Sequence, residues 1–222
     1  METGKVYAVL TGDLIGSSRF RKQQREELIS NLKGSFQEIS PDIIVSPFSV
    51  FRGDSFQGVL ARPEEALKTS LIIRASLRSR FIEERTFLDT RIAIGIGTID
   101  YLPRDQVGEG DGEAFRNSGP ELDKMKKGEQ NIIIRTPWYE INEELEVECV
   151  LLETLIQRWT KEQAEAILYH IQSSKQTQER IAKILKISQS ALSQRLKTGG
   201  YLAVEIFLER FKKIILDKVG VL

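Results

Sequence analysis

Val6-Tyr7-Ala8-Val9-Leu10-Thr11-Gly12-Asp13 is a short apolar run that closes on a glycine and a carboxylate. A run of this length, bounded by turn residues, fits a buried strand better than a helix. Just after it, Ser17 or Ser18 is placed to N-cap a helix whose apolar face is Leu28, Leu32, Phe36 and Ile39, and Pro41 stops that helix. Asp42 to Phe51 and Ser55 to Leu60 are strand-like runs joined by Arg52-Gly53-Asp54, a hairpin signal. Pro63 opens a second helix with Ala66, Leu67, Ile73 and Leu77 apolar and with Arg74, Arg78 and Arg80 expected to face solvent. Arg91 to Ile99 is a further strand. Gly108 to Gly119 is expected as a mobile glycine-rich loop, before a short helix near Pro120 to Lys127 and a strand at Asn131 to Ile134.

The order β-α-β-β-α-β, with an extra helix and strand, predicts an α+β, ferredoxin-like sheet in which the first and third strands are antiparallel neighbours. Asp13 ends the first strand and Asp54 sits in the hairpin that starts the third, so both carboxylates are expected at one edge of the sheet. Two hard oxygen ligands suit Mg²⁺ or Mn²⁺, which takes its remaining ligands from water and substrate phosphates. The Gly16-Ser17-Ser18 turn would offer backbone N–H groups at a helix N-terminus, where an anion is favoured. Together these features describe a nucleoside-triphosphate site. Each aspartate also stands beside a glycine, which is ordinary turn chemistry. The glycines of Glu109-Gly110-Asp111-Gly112 match no Walker or dinucleotide fingerprint.

The chain has 222 residues, of which 41% are hydrophobic and 29% charged, enough to bury one or two cores and too ordered in composition for a low-complexity tail. Lys+Arg and Asp+Glu both total 32, so no net charge draws the whole chain to nucleic acid or membrane. A single cysteine, Cys149, and a single histidine, His170, exclude a disulfide scaffold, a cysteine-rich zinc site and a multi-histidine metal cage. His170 falls on a helix and is expected to be a surface or packing residue; Cys149 is expected to be structural. The N-terminus lacks the basic and apolar regions of a signal peptide, and no stretch is long and apolar enough to span a bilayer. A soluble, cytoplasmic protein without a membrane partner is expected.

Charge is unevenly divided. Leu151 to Leu222 holds 12 Lys+Arg against 7 Asp+Glu, leaving 20 against 25 upstream. Strand signals also vanish after Pro137, so two domains are expected, 1–137 and 138–222. Trp138 to Trp159 reads as a connecting helix, acidic on one side, with Ile141, Leu145, Cys149 and Leu152 down one face. Thr160 then begins a capping box for a helix through Ile171, Thr177 caps a second through Leu185, and Ser188 caps a third over Gln189 to Lys197. Ala182 is small where two helices would cross, and Ile187 and Leu192 anchor the turn. This all-α unit has helix-turn-helix spacing. Ser188, Gln189, Ser190, Ser193, Gln194, Arg195 and Lys197 would be exposed and able to reach base edges or phosphates of DNA. Three short amphipathic helices also occur in protein-binding modules. The final helix, Leu202 to Val219, carries Ile206, Phe207, Phe211, Ile214 and Ile215 on a face too wide to stay free, so it must fold back or pair; a homodimer is expected.

Thr11-Gly12-Asp13-Leu14-Ile15-Gly16-Ser17-Ser18, Arg52-Gly53-Asp54-Ser55-Phe56 and Arg91-Ile92-Ala93-Ile94-Gly95-Ile96 resemble, in order and spacing, the metal strand, metal hairpin and following strand of class III nucleotide cyclases and of diguanylate cyclase and polymerase palm domains. With Ala114-Phe115-Arg116-Asn117-Ser118-Gly119-Pro120-Glu121-Leu122-Asp123, they more closely resemble the bacterial SatD family over essentially the whole chain. The resemblance implies a palm-like domain with metal held by Asp13, Asp54 and the Leu14 backbone, and nucleotide held near Gly16, Ser17, Ser18 and Arg52. Cyclases follow the glycine of the late loop with an asparagine and, four residues on, an arginine that stabilises developing phosphate charge. Counted from Gly112 those slots hold Arg116 and Pro120, so Arg116 is the candidate cation for nucleotide binding and catalysis. The base-selecting lysine has no equivalent beside Ser49-Val50-Phe51. The C-terminal unit resembles the region-four-like helix-turn-helix of bacterial sigma factors.

The sequence therefore supports a regulator of transcription that binds a nucleotide with Mg²⁺ or Mn²⁺ in one domain and DNA in the other. The alternatives are a metal-dependent nucleotidyl cyclase or transferase and a non-catalytic interaction module.

Overall fold

A computed structural model describes residues 4–17, 20, 22–51, 53–80, 88–103, 107–126, 128, 130–173 and 176–220. Its α/β part contains β1 (Tyr7–Leu14), α1 (Lys22–Phe36), β2 (Ile44–Phe51), β3 (Ser55–Leu60), α2 (Ala66–Arg78), β4 (Thr90–Gly97), α3 (Glu113–Met125) and β5 (Ile132–Arg135). The helices α4 (Tyr139–Ile156), α5 (Lys161–Gln172), α6 (Gln178–Ile184), α7 (Gln189–Thr198) and α8 (Tyr201–Val219) follow.

The five strands lie in the order β2-β3-β1-β4-β5. As the element order requires, β1 and β3 are antiparallel neighbours, with Asp13 opposite Ser55. β4 flanks β1 on the other side, with Asp13 opposite Arg91, and β5 runs parallel to β4. β1 is buried on both faces, which explains why Tyr7 to Leu10 is a continuous apolar run instead of alternating. One face, with Ala8, Leu10, Phe56 and Ile94, belongs to a continuous core that also contains Leu67 and Leu71 of α2, Leu145 and Leu152 of α4, Ile167 of α5 and Phe211 of α8. The other face, with Tyr7, Val9, Val59 and Ala93, packs against Ala114, Phe115, Leu122 and Met125 of α3. Each fully buried Leu or Ile in these layers contributes roughly 1.5–3 kcal/mol of transfer free energy.

Gly95 explains how α3 reaches the sheet. A Cβ there would lie 2.1 Å from the Ala114 carbonyl and 2.6 Å from the Ser118 amide, so only glycine lets helix and strand approach this closely. At the hairpin, Gly53 has φ +90°, the left-handed turn conformation that closes β2 onto β3.

Four sequence expectations are corrected. Ser17 does not cap α1, which starts at Lys22; Ser17 sits in a short turn that continues β1 toward the hairpin instead. The glycines from Gly108 to Gly119 do not form one loop, because α3 starts at Glu113 and continues through Pro120; Phe115 and Leu122, a helical interval apart, bury against the sheet. Arg74 and Arg78 do not face solvent, and Arg195 is half-buried beside Glu165 at 3.6 Å. Arg74 is 0% exposed, and its reason for burial lies in residues distant in sequence.

In the helical part, Thr160 and Gln163 form the expected capping box, and the side chains of Thr177 and Ser188 accept from the Arg180 and Ala191 amides. Lys186, at φ +55°, reverses the chain between α6 and α7. The terminal helix folds back: Phe207, Phe211, Ile214 and Ile215 are buried, while Ile206 stays exposed. Among the described residues, no helix is long and apolar enough to cross a membrane.

Candidate functional site

Asp13 and Asp54 meet at the end of the sheet where β1 finishes and β3 begins. The Leu14 amide donates to the Asp54 carbonyl at 3.3 Å, and the Ser17 hydroxyl donates to the Asp54 carboxylate. One turn after β1 thus holds the hairpin acid in place beside the strand acid. Ser18 and Arg52, also assigned to this site by sequence, lie outside the described residues. Gly16, at φ +70°, makes the turn that brings Ser17 to Asp54.

Asp13 is the more buried acid. Burial raises its pKa and the nearby Asp54 charge adds to that; Arg91 and Lys126 pull the other way, and the net position is above the usual aspartate range. Arg91 Nη1 donates to Asp13 Oδ1 at 3.3 Å, and the Lys126 ammonium lies 3.8 Å from Oδ2. Sequence reading missed both cations. Arg91 had a readable signal, since it opens the strand paired with β1; Lys126 had none, because its place follows from α3 running antiparallel to β4.

The same geometry removes Arg116 from the acidic pair. Arg116 stands near the start of α3, about 15 Å along the helix from Lys126 at 1.5 Å per residue. Its guanidinium holds Asp111 at 2.8 Å and Asp100 at 3.2 Å, and its neighbour Asn117 donates to the Ile96 carbonyl at 2.8 Å, near the opposite end of β4. Because α3 begins at Glu113, Arg116 lies on its first turn, at the end of the helix away from Asp13.

Beside the hairpin, a groove of about 780 Å³ opens between α1 and Gly53, lined by Arg25, Ile29, Lys33 and Gly34 among others. Along the α3 face leading to Asp13 runs a buried polar row: Gln57 donates to the Thr11 hydroxyl at 2.7 Å, and Thr11 and Ser118 share a hydrogen bond of 3.0 Å. Among the described residues no group of three His, Cys, Asp or Glu side chains is arranged to hold a metal ion. Any ion here would use two carboxylates and water or ligand oxygens, a set that Mg²⁺ commonly accepts.

The acidic end is wired to the helices. The Thr90 hydroxyl donates to the Asp13 carbonyl at 2.6 Å, and the Ile15 amide donates to the Asp89 carbonyl at 2.9 Å. The Asp89 carboxylate takes Arg74 through Nε and Nη2 at 2.9 and 2.8 Å and Arg78 at 3.0 Å. Arg74 also donates to Glu153 of α4 at 2.6 and 3.0 Å, and Asn131 donates to the same carboxylate at 2.9 Å. Arg78 donates to the Gln157 and Trp159 carbonyls at 3.0 Å each, and the Trp159 indole donates to the Gly199 carbonyl at 2.8 Å, just past α7. Burial alone would raise the Asp89 carboxyl, yet Arg74 and then Arg78 hold it below its ordinary range. Arg74 is likewise penalised by burial and more than compensated by Asp89 and Glu153, so it stays charged.

On α7, Ser188, Gln189, Ser190, Ser193, Gln194 and Lys197 are exposed on the outer face of the molecule, with Leu192 and Leu196 turned inward. His170 packs edge-on against Tyr201 with ring centres 4.6 Å apart, and Cys149 is buried in the core, as their helical positions implied.

None of the curated proteins compared matches this chain. Among solved structures, the chain is similar to the active GGEEF domain of a diguanylate cyclase from Vibrio cholerae, at 18% identity and a TM-score of 0.42, over 60% of this chain and 83% of that one. The SatD family matches residues 7–215, and the chain belongs to that family.

Proposed function

We propose that this protein is a regulator that binds a nucleoside polyphosphate with Mg²⁺ or Mn²⁺ at the Asp13–Asp54 end of the sheet and duplex DNA through α7. The observation that carries the nucleotide half is the convergence of two carboxylates with two cations, Arg91 and Lys126, beside an open groove. Carboxylates alone would suit a bare ion; carboxylates flanked by cations suit an ion that arrives with phosphates. The two acids fit a hard divalent cation, because ionised Asp13 is costly in its buried position without added positive charge.

The bound ion would supply charge neutralisation for the phosphates. The chain's own residues do the rest: Ser17 orients Asp54, Lys126 and Arg91 turn from Asp13 toward phosphate oxygens, and the groove beside Gly53 receives the remainder of the nucleotide. Binding is favoured over cyclisation because the candidate transition-state cation, Arg116, is held by Asp100 and Asp111 at the other end of α3.

The DNA half rests on the helix-turn-helix reading of α6 and α7, on the capped start of α7 and on its exposed amide, hydroxyl and lysine side chains. Linkage between the halves would pass through Asp89 and Arg78 to Trp159 and Gly199, and it requires the nucleotide to prefer one of two arrangements of that contact.

The test is calorimetry of the intact protein with each of the four ribonucleoside triphosphates and Mg²⁺ or Mn²⁺, repeated on Asp13→Ala/Asp54→Ala. Affinity that is unchanged in the double variant would sink the site. A new phosphodiester product in the same mixtures would replace the sensor with an enzyme.

A further inference from the structure

The outer side of α4 and the start of α8 together form an apolar face that the fold leaves uncovered. Val147, Val150 and Leu151 of α4 and Leu202 and Ile206 of α8 are between 49% and 70% exposed. The two helices run antiparallel, since Arg210 of α8 pairs with Glu144 at 2.8 Å and Lys218 with Glu140. Those pairs neutralise Glu144 and Glu140, while the half-buried Glu148 lines the groove between the two helices with Leu151 and Ile206. The five side chains present on the order of 500 Å² of apolar surface, the size at which a patch on a soluble chain marks an interaction site.

The charges around this face complement themselves. Glu143, Val147, Val150 and Thr154 recur at helical spacing along α4 and are exposed, as is Arg158 in the turn just after its last residue, so an acid stands at one end of the stripe and a base just beyond the other. Two copies of such a stripe fit each other only when antiparallel, as a two-fold axis demands. We infer that this face is the interface of a symmetric homodimer, in which α4 crosses the partner's α4 with Val150 opposite the partner's Leu151. That register sets Val147 opposite the partner's Thr154 and Glu143 opposite the partner's Arg158, twice over. Leu202 and Ile206 flank the crossing, so α4 and α8 from two copies make a four-helix layer. A stable interface needs about 800 Å² per partner, and the polar rim of Glu143, Thr154 and Arg158 supplies area beyond the apolar centre. This inference stands on the surface alone and is independent of nucleotide or DNA binding.

The test is sedimentation equilibrium on the full chain at micromolar concentration. Twice the chain mass is expected. Leu151→Glu, at an exposed position, should raise the dimer dissociation constant at least about 100-fold with the far-ultraviolet circular dichroism and melting temperature of the folded chain retained. Glu143→Arg and Arg158→Glu should each weaken the dimer, and the doubly reversed variant should regain it, which a different register would not allow. A wild-type chain that stays monomeric at about 100 µM, so that any dimer has a dissociation constant above roughly 10⁻⁴ M, overturns the proposal. So does a dimer indifferent to Leu151→Glu.

Discussion

Arg74 and Glu153, 79 residues apart, are joined by two buried hydrogen bonds of 2.6 and 3.0 Å, and this pair fastens α4 to α2. A guanidinium at 0% exposure survives there only because Asp89 holds its other edge, so the three residues form one unit. Removing one partner strands a buried charge. Glu153→Ala should therefore destabilise the chain by about 3–5 kcal/mol, measured by urea denaturation at neutral pH. Glu144→Ala, which breaks only the exposed pair with Arg210, should cost less than about 1 kcal/mol.

Asp89 gives that unit a pH dependence of known sign. Its folded pKa is held below the unfolded value by Arg74 and Arg78 against the opposing effect of burial, so the unfolded chain binds the extra proton as acid is added. The stability Asp89 contributes is fully present above the ordinary aspartate pKa, about 3.9, and is lost as pH falls from there through its lower folded value. Thermal melts from pH 6 downward (a range set by carboxylate titration) should show a steep acid limb in the wild type. Asp89→Asn should begin less stable and show a flatter limb; an equally steep one would remove Asp89 from this role.

How much of this was legible in the sequence depends on the range of the interaction concerned. The order and pairing of the strands followed from apolar runs and one hairpin, and the caps Thr160, Thr177 and Ser188 followed from local side-chain chemistry. Asp13 and Asp54 could be brought to one edge because strand pairing is a rule about order. The burial of Arg74 and Arg78 could not be seen, since an arginine on an amphipathic helix looks the same whether it meets water or carboxylates contributed by Asp89 and Glu153. Lys126 escaped for a related reason: its closeness to Asp13 depends on the direction in which α3 crosses the sheet. The distance of Arg116 from Asp13 could not be seen either, since it depends on α3 crossing the sheet with its first turn beside Asp100 and Asp111.

Asp13 should reveal itself as a residue kept at a cost in stability. Because burial holds its folded pKa above the unfolded value, the ionised form is less favourable in the fold than in the unfolded chain. Asp13→Asn, which mimics the neutral form, should raise the melting temperature at pH 7, with the gain shrinking as pH falls and the wild-type carboxyl protonates. Mg²⁺ with a nucleotide should raise the wild-type melting temperature and leave Asp13→Asn unmoved, because a ligand stabilises only the state that binds it. A wild type that is already the more stable at pH 7 would refute the cost.

Lys126 and Arg116 separate the two ends of α3. Lys126→Ala removes an ammonium 3.8 Å from the Asp13 carboxylate and should weaken nucleotide binding about tenfold, the loss expected for one charge-assisted contact of about 1.4 kcal/mol. Arg116→Ala breaks exposed pairs with Asp100 and Asp111 and should leave nucleotide affinity unchanged. Both variants should fold, because neither side chain is buried in the core. The reverse pattern, with Arg116 needed and Lys126 dispensable, would move the phosphates to the far end of the sheet.

On α7 the prediction divides affinity from selectivity. Lys197, exposed in the last turn, carries charge without hydrogen-bond directionality, so Lys197→Ala should weaken binding to all duplexes alike. It should also reduce the slope of log affinity against log salt by about 0.9, as expected for one lost phosphate contact. Gln189 and Gln194 carry amides able to pair with an adenine edge, so replacing either by alanine should narrow the gap between preferred and random duplexes by about 1–3 kcal/mol with the salt slope intact. Fluorescence anisotropy across a salt series with a selected and a scrambled duplex reads both quantities together. If neither substitution changes affinity, slope or selectivity, α7 is not the surface that meets DNA, and its exposed side chains are simply solvated.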